Sequence, residues 1–477
     1  MIFRFVFAAW ATLALFFSVD CAFADEIAKP NIVLINVDDL GWADLACQGS
    51  KYYKTPNVDR LAIEGMRFTN AYAAAANCAP SRACMLTGQY GPRHGVYTVQ
   101  SSTRGKAKHR RLIPVENTNR IKDTELTIAD LLKPAGYTSI SIGKWHVSGD
   151  PLKCGFDQNV AGGHIGHPSA KHGGYHSPFN YPNCVSEKEG EYLTDRLTDA
   201  AIEFVSENKE GPFFLYLPYY TVHGPLQPKE AKRKKWKSQA GQPGQKNASY
   251  AAMIESLDEN VGRLLASLES NGVSDRTLVI FTSDNGGVWG FSRQTPLRSG
   301  KGSYFEGGIR VPLIVRWPGK VEPETICDEP VINIDLMPTL ADIAGAKIPA
   351  SKTIDGVSIK GLFFDSKSKL AKRSLFWHFP IYLQANARKA DFETHDPWFR
   401  TRPGSIIRSG KWKLHEYFED GRLELYDLES DIGETNNVAK DQPEVTAQLY
   451  ADLKKWREQT KAPVPTELNP DFKPEGK

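Results

Sequence analysis

The chain has 477 residues, with 59 basic and 56 acidic side chains and a net charge of +3. A charge so nearly balanced excludes a bulk nucleic-acid binder, and the length accommodates one large domain and a smaller one. Mean hydropathy is −0.41, and the one long apolar run is N-terminal. Taken in order, that run comes first. Arg4 gives a weakly basic start, Phe5 to Val19 are nearly all apolar, and Ala22-Phe23-Ala24 forms an A-x-A cleavage site before Asp25. Residues 1–24 therefore read as a signal peptide. The run is short for a membrane span and lacks a basic stop-transfer flank, so cleavage is expected over anchoring. The mature chain is expected to be exported, to a periplasm or the cell exterior (a lysosome in a eukaryote), with no membrane anchor.

Asn31 to Val37 is a continuous apolar run, which predicts a buried strand of the parallel-sheet kind. It ends at Asp38-Asp39. Two acids there are costly unless paired or metal-bound, although an isolated pair also reads as a helix cap and a turn acid. Asn77 to Gly88 (Asn-Cys-Ala-Pro-Ser-Arg-Ala-Cys-Met-Leu-Thr-Gly) predicts a turn entering a helix, with Pro80 at a first helical position. Arg82 follows Cys78 by four residues, so a helix puts both on one side, at an end that attracts anions. A cysteine in that place is a low-pKa nucleophile, a modified residue, or a buried structural thiol. Two basic clusters, Arg104 to Arg111 and Lys229 to Lys237, read either as solvated loops or as holders of a polyanion.

Thr124 to Leu132 predicts a helix, and Thr138 to His146 a strand whose period of two puts Lys144 and His146 on one face. A cation beside an imidazole suits an oxyanion and a proton transfer. Gly162 to His176 is a Gly- and His-rich loop, read as a pocket loop or a purely structural one. Gly211 to Leu217 predicts a further buried strand, with His223 in the loop after it. Thr277 to Phe281 repeats the first pattern: an apolar strand, then Asp284-Asn285 and two glycines. Two such ends from distant parts of the chain suggest one site, because sites in open α/β sheets lie beyond the carboxyl ends of strands. Four oxygen-bearing side chains favour Ca²⁺ or Mg²⁺ over Zn²⁺. Lys301 lies in a Gly-rich loop before the Val311 to Trp317 strand, with Arg298 and Glu306 in the same segment. Val331 to Ala344 reads as a helix. From about residue 370 the pattern changes to short strands, 373–379, a hairpin over 405–414 around Ser409-Gly410, and 423–427, then an amphipathic helix over 443–459. With Cys21 in the signal and Cys78 in the site, five cysteines remain, an odd number; Cys154 and Cys184 could close a loop in an oxidising compartment, but connectivity is not read from sequence.

Cys78 to Gly88 match Cys-x-Pro-Ser-Arg-x-x-x-Leu-Thr-Gly, and Gly136 to His146 match Gly-Tyr-x-Ser…Gly-Lys-Trp-His. In these segments the chain resembles the type I, formylglycine-dependent sulfatases of the alkaline phosphatase superfamily. The likeness covers nearly all of the mature chain. It implies an α/β fold: a large, mixed, mostly parallel sheet between helices (residues 25–370), then a small antiparallel sheet with a helix (371–477). It implies that a formylglycine-generating enzyme oxidises Cys78, and that the hydrated aldehyde attacks the sulfur of a sulfate ester. Asp38, Asp39, Asp284 and Asn285, with the residue at position 78, would then hold one divalent cation, Ca²⁺ before Mg²⁺. Lys144 and Lys301 would meet sulfate oxygens, Arg82 would stabilise the hydrate, His223 would protonate the leaving alcohol, and His146 would take the proton that lets sulfate depart. The substrate class implied is a sulfated small molecule or carbohydrate. Two other readings share the fold: a phosphatase or phosphodiesterase, and a non-catalytic binder of sulfated glycans. Such phosphatases generally use Ser or Thr and a His-rich pair of metals, which Cys78 and the Asp/Asn set do not match.

Overall fold

The computed structural model describes residues 1, 29–385 and 396–474. The signal-peptide reading, Met1 apart, falls outside them. Among the described residues no helix is long and apolar enough to cross a membrane.

The strand Asn31–Val37 is buried along its whole length and sits near the middle of an eight-stranded sheet. Alternation divides its side chains between two cores, Val33, Ile35 and Val37 on one face and Ile32 and Leu34 on the other. The sheet runs in the order Thr325–Cys327, Met66–Phe68, Leu313–Arg316, Thr277–Ser283, Asn31–Val37, Phe213–Pro218, Thr138–Ile142, Gln158–Val160. Leu313–Arg316 alone opposes its neighbours; the other pairings are parallel. Helices Leu193–Glu207 and Ala248–Ser270 fill one face, Cys78–Thr87 and Leu336–Ala344 the other. This is the mixed, mostly parallel sheet between helices that the sequence led us to expect. Register places the site: Val37 pairs with Ser283, so Asp38 and Asp284 leave the sheet side by side.

Several expectations are corrected. The Thr138 strand ends at Ile142, because Gly143 turns away with φ +120° and packs where a Cβ would lie 2.1 Å from the Pro218 carbonyl. Lys144 and His146 are therefore loop residues and owe nothing to a shared strand face. The helix expected over 124–132 begins at Ile128, after a Thr127–Asp130 capping box, and the one expected from Val331 begins at Leu336. Cys154 and Cys184 are unbridged and lie in the cores on opposite faces of the sheet.

The small sheet orders Ser374–Phe379, Gly404–Ser409, Trp412–Tyr417 and Leu423–Asp427, all antiparallel. Helix Pro443–Thr460 buries Leu449, Leu453 and Trp456 against it, with the Trp456 ring stacked on Phe376 at 4.8 Å. Its core continues into the large domain through Tyr72, Cys84, Tyr304 and Ile309. At this junction Glu306 and Glu434 share Lys413, each at 2.9 Å, and Glu434 also meets His415 at 3.1 Å. The other oxygen of Glu306 accepts from Tyr72 and Arg310, both at 2.7 Å. Glu306 thus belongs to the junction rather than to the Lys301 loop's pocket side. Arg298 joins it there, donating to the Glu434 carbonyl at 2.7 Å.

Candidate active site

Helix Cys78–Thr87 is buried at every position and ends on Gly88, whose φ of +66° closes the last turn. It begins at Cys78 itself, with Asn77 as the N-cap, so Pro80 is the third helical residue rather than the first. One turn on, Arg82 is fully buried and spends its guanidinium on two other segments. Nε donates to Asp284 at 2.8 Å and Nη1 to the Lys144 carbonyl at 2.6 Å. Burial works against that charge, but Asp284, Tyr216 and Asp38 outweigh it, and the guanidinium is held more firmly than usual.

The acids sit where the sheet ends. The Asp38 amide donates to the Thr221 carbonyl at 3.1 Å, and the Asp284 amide to the Val37 carbonyl at 3.1 Å. Asp39, with φ +61°, turns back so that its amide reaches Asp284 Oδ1 at 3.2 Å. Lys144 Nζ meets Asp38 Oδ2 at 2.5 Å. Lys301 Nζ meets Asp39 Oδ1 at 2.6 Å, and Asn285 Nδ2 donates to the same oxygen at 2.8 Å. His223 Nδ1 donates to the Gly224 carbonyl at 2.6 Å, which leaves Nε2 3.5 Å from Asp39 Oδ2. The structure therefore brings Asp38, Asp39, Cys78, Arg82, Lys144, His223, Asp284, Asn285 and Lys301 into one cluster.

Ligand atoms of Asp38, Cys78 and Asp284 lie within 4.8 Å of one another, as do those of Asp38, Asp39 and His223. Asp38 Oδ1 and Asn285 Oδ1 are buried with no hydrogen-bond partner. Burial raises the Asp38 carboxyl well above the carboxylate range, and Asp284 and Asp39 add to that against Lys144. Burial would also raise Asp39, but Lys301 and His223 hold it low. Crowded acids with unmet oxygens fit a hard divalent cation.

His146 lies beside this cluster, with φ +62° and its amide donating to the Gly163 carbonyl at 2.9 Å. Its Nδ1 is buried and unmet. Burial, then Lys144 and Arg82, push the imidazole far below its usual value, so it is neutral. Burial and Lys301 do the same to His223 against Asp39. The ring of His146 packs on Gly166, where a Cβ would lie 2.7 Å from Cε1 and Nε2.

A cavity of about 180 Å³ opens over Cys78, lined also by Arg104, His146, His167, His223, Lys301 and Arg400. The His-rich loop thus contributes His167, stacked on His223 at 6.0 Å. Sequence reasoning left Arg104 inside a basic cluster and did not single out Arg400, which is more than 300 residues from Cys78 in the chain and carries no motif. The second basic cluster runs from Lys229 into the helix Glu230–Lys237 and is partly paired locally: Lys229 with Asp195, Lys232 and Lys235 with Glu255, Arg233 with Glu230.

Comparison with known proteins finds sulfatases. A family model described as Sulfatase matches residues 30–346, and one described as N-sulphoglucosamine sulphohydrolase, C-terminal, matches residues 300–459. A "Sulfatase" of Formosa agariphila is 35% identical, covering 92% of this chain and 91% of its own. The N-acetylgalactosamine-6-sulfatase of Homo sapiens is 32% identical over 79% of this chain and 74% of its own. Among solved structures, Ps i-CgsB in complex with k-i-k-neocarrahexaose is 30% identical with a TM-score of 0.74, covering 92% of this chain and 95% of the other.

Proposed function

Because the chain belongs to the sulfatase family and is a sulfuric ester hydrolase, we propose that it removes sulfate from a sulfated carbohydrate, using Cys78 as formylglycine and one bound Ca²⁺. The observation that carries this is the convergence of Cys78 with Asp38 and Asp284 within 4.8 Å, beside buried oxygens that lack partners. Asp38, Asp39, Asp284 and Asn285 would hold the cation, which when bound neutralises sulfate oxygens. A formylglycine at position 78 would supply, as its hydrate, the hydroxyl nucleophile for sulfur, displacing the ester alcohol.

The rest of the chemistry falls to the chain's own side chains. Lys301 and Lys144 stand over the carboxylates and receive the charge of the sulfate oxygens. Arg82 orients the group at position 78 from the same helix and locks Asp284 in place. His223 turns Nε2 toward the cavity and Asp39, with Nδ1–H fixed by the Gly224 carbonyl; Asp39 and the negative charge of a bound sulfate favour the doubly protonated ring, from whose Nε2 a proton passes to the leaving alcohol. His146, kept neutral by burial and two cations, is a proton acceptor on the other wall. The names of the relatives support a carbohydrate substrate: N-acetylgalactosamine-6-sulfatase, and Ps i-CgsB with a neocarrahexaose. The N-terminal run ending in Ala22-Phe23-Ala24 supports export, and the modification needs a formylglycine-generating enzyme in the host.

The experiment is mass analysis of the tryptic peptide that contains Cys78, alongside sulfate release from sulfated sugars. The peptide is expected to be lighter than its cysteine form and to react with a hydrazide. Full turnover by protein that carries only the thiol would refute the nucleophile.

A further inference from the structure

On the sulfatase reading, the leaving alcohol is an oxygen of the sugar, and His223 Nε2 must come within hydrogen-bond reach of it, roughly 3 Å. The sugar therefore passes beside the wall next to His223. In the cavity over Cys78 that wall carries His167, whose ring is stacked on His223 at 6.0 Å and 24°. Cys78, His146, His223 and Lys301, which line the same cavity, already have roles at the sulfate. His167 has none. Its side chain is exposed, while the next residue, Pro168, is buried.

The segment that carries His167 is fixed at several points. Asn159 Nδ2 donates to the Gly162 carbonyl at 3.0 Å, and the Gly162 amide donates back to Asn159 Oδ1 at 2.9 Å. The Tyr220 hydroxyl donates to the Ala161 carbonyl at 3.0 Å. The Gly163 carbonyl accepts from the His146 amide, and Gly166 lies against the His146 ring. Further on, the Tyr175 hydroxyl lies 2.6 Å from the Tyr220 carbonyl and 2.9 Å from that of His223. The loop is thus tied to the backbone of both histidines, His146 on one side and His223 on the other. A side chain on a loop held in this way loses little freedom when a ligand binds.

Burial, then Lys144 and Lys301, hold the His167 imidazole below its usual value. A neutral imidazole offers one donor and one acceptor, which suits a hydroxyl. A site that reads a hydroxyl discriminates strongly, because a ligand without it leaves a polar group unpaired. At about 180 Å³ the cavity takes roughly one sugar ring, so that hydroxyl is on the ring bearing the scissile sulfate.

We propose that His167 hydrogen-bonds a hydroxyl of the sugar that bears the scissile sulfate, and so helps to set which sulfate ester the enzyme accepts.

The test is a titration of Cys78→Ala protein, with Ca²⁺ present. It compares monosulfates of galactose, N-acetylgalactosamine and glucosamine with propyl sulfate, which brings the same anion without a ring hydroxyl. The best sugar is expected to bind at least tenfold tighter than propyl sulfate. His167→Ala in the same background should lose that preference and leave propyl sulfate binding as it was, which also reports an intact fold. His167→Phe keeps a ring against His223 without a donor or acceptor, and should lose the preference too. With Cys78 restored, both substitutions should lower kcat/KM for that sugar sulfate at least tenfold. Binding is the deciding readout, because loss of a mere prop for His223 would slow proton transfer and leave affinity unchanged. No preference in the parent, a preference kept by either variant, or an equal loss on propyl sulfate would overturn the contact. Failure of wild type to release sulfate from any ester would instead strike the sulfatase reading, and the titration would still decide the contact.

Discussion

The cluster under Cys78 and the cluster between Glu306 and Glu434 are made of the same materials and finished differently. Both join carboxylates to lysine and arginine in a fully buried setting. At the junction none of the side-chain atoms of Glu306, Lys413, Glu434, His415, Arg310, Tyr72 or Arg408 is both buried and without a hydrogen bond. Under Cys78, Asp38 Oδ1, Arg82 Nη2, His146 Nδ1 and Asn285 Oδ1 all are. A buried charge network that closes on itself fixes the geometry of a fold. One that leaves oxygens and nitrogens unmet carries an energetic debt that a ligand can settle. The contrast separates a cluster that joins two sheets from the one proposed to do chemistry.

The contrast breaks hardest at Cys78. Cys78→Ala should lower turnover by a factor on the order of 10⁴ or more, while the melting transition stays in place, because no closed network loses a member. Sulfate release and calorimetry on one preparation check both halves. At the junction the effects should reverse. Lys413→Met removes the cation that two buried carboxylates share and should cost about 3–5 kcal/mol of stability in urea, with activity per folded molecule kept.

The junction also has a pH signature. Burial would raise Glu306, yet Lys413, Arg310 and Arg408 hold it below the ordinary value of 4.5. A carboxyl depressed in the folded state adds stability that is full above the unfolded value and lost as pH falls through the folded one. Urea midpoints should therefore drop as pH falls below about 4.5, and Glu306→Gln should flatten that slope.

Cation binding acts on the open cluster alone. Ca²⁺ at a hundred times its Kd should stabilise the protein by about 2.7 kcal/mol, and Asp38→Asn should abolish that gain. EDTA should remove activity, and Ca²⁺ should restore it better than Zn²⁺, because the proposed ligands are oxygens. A melting temperature indifferent to Ca²⁺ would sink the assignment. The smallest effect is at Gly166. Its substitution by Ala puts a Cβ 2.7 Å from the His146 ring and should lower kcat about tenfold through misplacement of that ring, with stability little changed.

Much of the architecture was legible in the chain. Asn31–Val37 and Leu423–Asp427 are strands at the expected bounds, because continuous or alternating apolar runs between turn residues leave a strand few alternatives. Two segment matches were enough to identify the sulfatase family, and the repeated strand-then-acid pattern pointed to Asp38, Asp39, Asp284 and Asn285 as neighbours. What local pattern could not supply is everything that depends on which strands lie adjacent. Lys144 and His146 reach the site because Gly143 turns under Pro218, a strand distant in sequence, and not through a shared strand face. The two basic clusters look alike in composition, yet the one from Lys229 faces the acids of a neighbouring helix, while Arg104 lines the cavity, in a segment whose Gly105 packs against Phe399. Periodicity and motif are properties of neighbours along the chain, so the sequence carried them alone. Charge compensation and cavity walls are properties of neighbours in space, so only the packed sheet, with its C-terminal tail folded back over residues 107–111, decided them.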